Sequence, residues 1–500
     1  MFSFKLLENK YVYYVFVLLI AALPLFAHLD EAPIQVWDEM RSAVSAFEMN
    51  KSGHFILTMF DSKPEEWSTK PPMLIWTLAL SLRFLGYNEM AVRLPIAIAA
   101  LLTCFLIYGF IKRRTGRAFP GLLAVFVLVT TKGYVAIHGT RTGDYDALLT
   151  LFTTATALCL VNFIEEEKRG WLWLSGISLI AAVLTKGVAG LFIVPALVLY
   201  IFIRKKWKLV LGSKDLYWSI ALFVLIIGGY YFLRNFYQPG YLQLVWQNEL
   251  GGRYNQVIES HAGDAWTYYN DLNNTSFSWW MPFLIPALLM GIFSKDLRIR
   301  NIILFATLNV LSIFLVLSLA STKLPWYLIP IYPFLAIASG LFIFQCLELL
   351  WQWKGPEKLW TFNFLPICFL ILIGYAPYSA ILDSTLGGNY YKPNPALNDA
   401  GVYFKNVLSG DHTLNCNVIC GDNYPLFWYY SVINRQQSLL FEKNKEELQC
   451  GMKVLTWEQG VKDFIQDHYV FNIEENFRSV TIFQILGEKL DGINGIPIKH

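Results

Sequence analysis

Apolar runs of about 15–22 residues recur from Tyr11 to about Leu382, each closed by a short polar stretch, and then they stop. Runs of that length match the roughly 30 Å hydrocarbon core of a bilayer. The pattern predicts eleven membrane-spanning helices, at residues 11–29, 91–111, 118–137, 147–164, 171–185, 187–203, 217–234, 279–293, 302–320, 326–346 and 360–382. The first run follows Lys5 and Lys10 but lacks a clear small-residue cleavage site, so it reads as a retained helix rather than a signal peptide. Between the first two spans lies a loop too polar to cross. Asp38–Met49 in it reads as a surface helix with Asp38 and Arg41, three apart, on one face. Met73–Leu85 is apolar but short, and reads as a second helix lying in the interface.

From about Asp383 the period changes. Strand-like runs (Asn417–Ile419, Val480–Leu486) alternate with helical ones (Ala400–Leu408, Glu458–Asp467). The expected architecture is an α-helical polytopic membrane domain over 1–382 and a small α/β domain over 383–500.

Composition agrees. Only 15% of the chain is charged and 55% is hydrophobic, against roughly a quarter charged in soluble proteins. The net charge of +3 has no aromatic-interleaved basic surface behind it, and gives no sign of a nucleic-acid partner. The basic residues cluster instead between spans: Lys112-Arg113-Arg114 with Arg117, Arg204-Lys205-Lys206 with Lys208, and Lys295 with Arg298 and Arg300. All fall on the side of Lys5 and Lys10, which the positive-inside rule assigns to the cytoplasm. An odd number of spans then puts the tail outside. There, Cys416, Cys420 and Cys450 allow one disulfide; the Cys416–Cys420 spacing is poor for zinc.

The residues that break the charge rule are the functional candidates, because charge beside hydrocarbon is costly unless it pairs or works. They form groups on the outer side: Trp37-Asp38-Glu39-Met40-Arg41, Trp67-Ser68-Thr69-Lys70-Pro71-Pro72, Arg141-Thr142-Gly143-Asp144-Tyr145-Asp146, Lys186 at a tight turn, the loop Glu249–Tyr269 with Arg253 and His261, and Ser321-Thr322-Lys323-Leu324-Pro325-Trp326-Tyr327. Each has a plainer reading. Asp38 with Arg41 can be a local ion pair, Lys70 an anchoring lysine, Arg141 with Asp146 a helix cap, and Lys186 and Lys323 helix-end residues. Phe427-Trp428-Tyr429-Tyr430 in the tail reads as domain core rather than a sugar platform.

The order of these groups resembles the GT-C class of membrane glycosyltransferases, and within it the aminoarabinose transferase and protein O-mannosyltransferase family, over about residues 10–345. The resemblance implies transfer of a sugar from a polyprenyl phosphate to a lipid A, envelope-glycan or protein acceptor. The reaction would take place outside the cytoplasm, with the protein in the bacterial inner membrane and its site and tail facing the periplasm. It implies Asp38 as general base, with Glu39 and Asp146 as further acidic groups. Lys70, Arg41, Lys186 and Lys323 become phosphate ligands, and Tyr327, Asp144, Arg141, Arg253 and His261 substrate contacts. A divalent metal on Asp38, Glu39 and Asp146 is left open. Thr69 departs from relatives that carry Glu before the Lys-Pro pair, which puts aminoarabinose specificity in doubt. A transporter or flippase of lipid-linked glycans is the alternative, although no internal repeat supports it.

Overall fold

The computed structural model describes residues 10–252, 257, 261–264, 266–294, 296–352, 365–386, 394–421, 426–433, 440–442 and 445–489. Thirteen helices build the apolar part: α1 (Lys10–Phe26), α2 (Asp38–Ser52), α3 (Met73–Leu85), α4 (Glu89–Thr115), α5 (Phe119–Val129), α6 (Tyr145–Glu166), α7 (Arg169–Lys186), α8 (Val194–Ile203), α9 (Lys214–Tyr237), α10 (Met281–Phe293), α11 (Leu297–Leu319), α12 (Tyr332–Gln352) and α13 (Leu365–Leu386). Among the described residues seven helices are long and apolar enough to cross a membrane, or eight if the pair 267–276 and 281–293, bent by 115°, counts as one span. This is an integral membrane protein. The expected spans at 11–29, 118–137 and 187–203 fall on the shorter apolar helices α1, α5 and α8.

Two boundaries differ from the sequence expectation, for local reasons. α5 stops at Val129, where the Thr130 and Thr131 hydroxyls bond carbonyls of the preceding turn, and 130–137 folds into turns instead. α8 starts only at Val194, with Pro195 in its first turn, because Gly187–Leu191 forms a tight 3₁₀ turn after Lys186.

α6 and α12 are the most buried helices, while α9 and α13 lie outermost. α6 buries three of its four threonines at low cost: the hydroxyls of Thr150, Thr153 and Thr156 bond carbonyls one turn back at 2.7, 2.9 and 2.8 Å. At one end of the bundle the basic clusters meet acidic helix ends. Arg113 and Arg114 reach Glu166, Arg204 reaches Glu165 at 2.9 Å, and Arg117 reaches Glu348. α6 rises about 33 Å from Tyr145 to Glu166, so its first residues lie at the opposite end.

α2 and α3 pack on each other at that opposite end, burying Met40, Val44 and Phe47 with Leu74, Leu78 and Leu82. The tail helices α14 (Pro395–Ser409) and α15 (Phe427–Ile433) join the same cluster through Tyr403, Phe404, Trp428 and Tyr429. Phe427, Trp428 and Tyr429 of the aromatic stretch are therefore core. Beyond it, β3 (Val418–Cys420), β4 (Leu440–Glu442), β5 (Lys453–Thr456), β6 (Tyr469–Phe477) and β7 (Val480–Glu488) form one mixed sheet in the order β4-β3-β5-β7-β6. β3 runs parallel to β4 and β5, whereas β7 runs antiparallel to β5 and β6. The short hairpin β1 (Met59–Phe60) and β2 (Lys63–Pro64) stands apart in the first outer loop. Cys416, Cys420 and Cys450 are free thiols.

Close helix contact inside the bundle depends on small residues. At Gly340 of α12 a Cβ would come within 2.6 Å of the Ala124 backbone of α5. Gly340→Ala is expected to force these central helices apart at a cost of about 1–3 kcal/mol. A lower melting temperature of the detergent-purified variant checks this, and an unchanged one refutes it.

Candidate active site

The loop before α2 has its backbone groups satisfied from several sides. Arg93 of α4, fully buried, donates to the carbonyls of Leu29 (2.8 Å), Ala32 (2.6 Å) and Pro33 (2.7 Å). Its remaining N–H groups meet Glu39 at 2.7 and 2.9 Å. Glu39 also accepts from the amides of Gln35 (2.7 Å) and Gly143 (2.9 Å). Glu39 thus ties the first outer loop to α4 and to the turn before α6, and both of its oxygens are engaged. Arg141 lies buried against the end of α1, donating to the carbonyls of Pro24, Leu25, Ala27 and His28 at 2.5–3.4 Å. A guanidinium there satisfies orphan carbonyls and complements the helix dipole.

These ties deliver Asp38 to a cavity of about 1050 Å³. Trp37 precedes it with φ of 73°, a conformation that costs a non-glycine residue roughly 1–3 kcal/mol and persists only where its surroundings enforce it. The cavity is also lined by Lys70, His138, Asp144, Lys186, His261, Trp326 and Tyr327. Asp38 and Asp144 flank His138, whose Nδ1 lies 3.8 Å from the first carboxylate and 3.2 Å from the second. The His138 ring stacks on Trp326 with centroids 4.0 Å apart. Burial pushes the His138 pKa down, but Asp144 and, farther off, Asp38 and Asp146 outweigh it and raise it above the usual histidine value. The carboxylates differ in access: the Asp38 side chain is 41% exposed and that of Asp144 3%. Asp144 also accepts from the Thr142 hydroxyl at 2.5 Å. Asp38 is therefore the one open to an incoming molecule. With His138 neutral, the three groups offer one nitrogen and two carboxylate oxygens within 4.8 Å of one another, a donor set that could hold a divalent cation. The set differs from the one expected: His138 and Asp144 stand where Glu39 and Asp146 were anticipated.

Asp146, at the start of α6, meets the Lys186 ammonium at 2.6 Å, both buried. Lys186 also lies 4.8 Å from the Tyr327 ring, and Lys70 lies 5.0 Å from the Tyr145 ring. A second cavity, about 260 Å³ and mostly apolar, shares Lys70, Lys186 and Tyr327 with the first and adds Asp146. Leu149, Phe192, Ile193, Ile313, Val316 and Leu317 line much of its remainder, with Glu249 the further charged group.

Three expected phosphate or substrate contacts sit elsewhere. Arg41 directs one guanidinium nitrogen, Nη1, at both Glu65 oxygens at 2.6–2.7 Å and covers the Phe60 ring, outside the lining of either cavity. The local Asp38–Arg41 pair gives way to this contact 24 residues along because the β1–β2 hairpin brings Glu65 over the helix. Lys323 caps the end of α11, donating to the carbonyls of Ser318 (2.8 Å) and Ala320 (2.5 Å). Burial lowers its pKa, against the pull of Asp264. Arg141 is the cap of α1 described above. Arg253 lies outside the described residues. The sequence reading missed His138, whose one signal was a histidine three residues before Arg141. It also missed that Glu249 approaches Thr69 (hydroxyl to carboxylate, 3.4 Å), placing a carboxylate from another loop beside the Lys-Pro pair.

A polar chamber thus joins an apolar groove at two ammonium groups, at one end of a helical bundle. Residues 69–229 match the family described as dolichyl-phosphate-mannose-protein mannosyltransferase. The fold is similar to ArnT from Cupriavidus metallidurans, solved with undecaprenyl phosphate bound, with a TM-score of 0.70 at 15% identity over 98% of this chain and 100% of that one. The chain is thus similar to GT-C-type membrane glycosyltransferases, in sequence over the matched segment and in fold over nearly its whole length. It is 28% identical over 353 residues to an uncharacterised protein of Aquifex aeolicus, covering 69% of this chain and 67% of that one. It is 25% identical to the undecaprenyl phosphate-alpha-4-amino-4-deoxy-L-arabinose arabinosyl transferase of Edwardsiella ictaluri, over 61% of this chain. The match spans only 55% of that transferase.

Breaking a buried pair by removing one charge is expensive. Glu39→Gln leaves Arg93 buried with a neutral partner, and is expected to cost about 3–5 kcal/mol. Thermal unfolding measures this; a shift no larger than that of an exposed variant such as Glu31→Gln would refute the anchoring role.

Proposed function

We propose that this chain transfers a sugar from a polyprenyl-phosphate donor to a lipid, envelope-glycan or protein acceptor at the outer surface of the bacterial inner membrane. The observation that carries the reading is the junction of the two cavities at Lys70, Lys186 and Tyr327. A polyprenyl phosphate needs an apolar groove for its chain and cations for its head, and a sugar needs a wet chamber beyond them.

In this reading the acceptor hydroxyl enters the larger cavity beside Asp38, which takes its proton as the oxygen attacks the anomeric carbon. The bond from that carbon to the phosphate oxygen breaks, and polyprenyl phosphate leaves with the electron pair. Lys70 stabilises the charge growing on the leaving phosphate. Lys186, held by Asp146, supplies a second cation at the same edge, and Tyr327 forms the wall between groove and chamber. Asp144 and His138 orient Asp38. The same three groups are the place for a divalent cation, should one be bound. Arg41, Arg141, Glu39 and Lys323 hold the outer loops and helix ends in this assignment, with His261 a wall residue of the chamber. Residues 1–382 form the transferase unit and 383–500 an outer unit facing the periplasm. A flippase reading is weaker: the charged groups gather at one end of the bundle, whereas transporters of inverted repeats bind at the midplane.

The test is an in vitro transfer assay with mannosyl and 4-amino-4-deoxy-L-arabinosyl polyprenyl phosphates and an envelope extract as acceptor source. Wild type is expected to consume a donor. Asp38→Asn is expected to lose roughly 10²–10⁴-fold in kcat with an unchanged melting temperature, since Asp38 is half-exposed. Lys70→Ala is expected to raise the donor KM more than the acceptor KM. Full transfer by Asp38→Asn removes the base assignment. Donor crossing proteoliposome membranes without being consumed would replace the transferase with a flippase.

A further inference from the structure

The loop between α1 and α2 carries the candidate base, and the C-terminal unit touches it at three consecutive points. Lys405 of α14 donates to the carbonyls of Asp30 and Glu31, the latter at 2.9 Å. Pro33 lies against Gly401 of the same helix, so closely that a Cβ at 401 would meet the Pro33 ring carbons at 2.8–3.0 Å. The Ile34 amide donates to the Tyr429 hydroxyl at 2.9 Å, and that hydroxyl donates to Glu89 of α4 at 2.6 Å. Tyr429 is 1% exposed, and its hydroxyl lies 395 residues along the chain from the amide it accepts from.

The contacts interleave with those from the bundle. Arg141 takes the carbonyls of residues 24, 25, 27 and 28, and Arg93 those of 29, 32 and 33. The tail takes the groups at 30, 31 and 34 that neither arginine reaches. Glu89 and Arg93 stand one turn apart on α4, so Tyr429 closes a grip that α4 begins. Immediately after the gripped stretch come Gln35, the strained Trp37 and Asp38.

We propose that the C-terminal unit is a positioning clamp for the reaction centre: Gly401, Lys405 and Tyr429 fix the loop that carries Asp38, so that the candidate base stands in register with the cavity. Tyr429 is a positioning residue and meets no substrate. The clamp rests on the transferase reading for its catalytic consequence, though not for its structural one. An enzyme whose base sits on a loop needs that loop fixed to a fraction of an ångström, and a displacement near 1 Å can cost about 100-fold in rate. Gly401, Lys405 and Tyr429 would thereby govern turnover without lining the cavity.

The experiment compares Tyr429→Phe and Gly401→Ala with Ile465→Ala in the full-length protein. Ile465 lies in the separate core between α16 (Gln459–His468) and the sheet, and loosens the tail without touching the loop. Hydrogen exchange of a peptide covering residues 29–41 is expected to speed up roughly tenfold in the first two variants and to stay at the wild-type rate in Ile465→Ala. With whichever donor the wild type consumes, Tyr429→Phe and Gly401→Ala are expected to lower kcat about 10- to 100-fold at an unchanged donor KM. Unchanged exchange in both variants overturns the clamp. Faster exchange with kcat within twofold of wild type overturns its positioning role, as does an equal kcat loss in Ile465→Ala. If wild type consumes no donor, the transferase reading falls, while the exchange measurement still decides the clamp.

Discussion

One buried ion pair organises the outer end of this protein. Arg93 is placed by α4 where no water reaches, and its guanidinium offers a planar fork of donors that cannot be left unpaired. Glu39 satisfies part of that fork and spends its remaining capacity on amides of the loop before it and of the turn before α6. The other arms of Arg93 collect backbone carbonyls of the same loop. A single cation thus joins α4, the first outer loop and the start of α6. Asp38 comes from one of these pieces, Asp144 and Asp146 from another, and their relative positions follow from that joint.

Around it, charge is divided between holding and handling. Arg41, Arg141 and Lys323 each lie against carbonyls or a carboxylate that fix a loop or a helix end. Lys70 and Lys186 line the cavities, the latter paired with Asp146. Lys323, an ammonium that caps α11, aside, the division has a physical basis. A guanidinium reaches several carbonyls at once, which suits it to fastening backbone. An ammonium is a compact charge on a flexible stem, which suits it to a mobile phosphate. The groove beneath them is apolar because it is walled by α6, α11 and the turn after Lys186, all of which carry bilayer-compatible sequence.

The helical bundle could be read from the sequence, since hydrophobic length is a local property set by bilayer thickness, although among the described residues seven or eight helices, against eleven expected spans, are long and apolar enough to cross. The strands at Val418 and Val480, the helices over Ala400–Leu408 and Glu458–Asp467, and the short helices at Asp38 and Met73 were also legible from local period and composition. Charge asymmetry between loops sorted the basic clusters to one end, and the structure gathers them there with Glu165, Glu166 and Glu348. What local pattern misjudged were helix ends. Threonine hydroxyls closing α5 and a 3₁₀ turn delaying α8 leave no mark in average hydrophobicity.

Within the site, the sequence by itself determined which segments bear charge at the ends of apolar spans, because charge beside hydrocarbon is rare enough to stand out. Only the tertiary structure decided what each charge does. Asp38 and Glu39 are adjacent and chemically alike, yet one opens into the cavity and the other is sealed against Arg93. Arg41 lies one helical turn from Asp38 and binds Glu65 instead. His138 looks like an isolated histidine at a span end until the fold sets it between Asp38 and Asp144. The role of an ionisable group depends on the distance to its partners and on its access to water. Both are fixed by residues tens or hundreds of positions away, as Tyr429 is from Ile34.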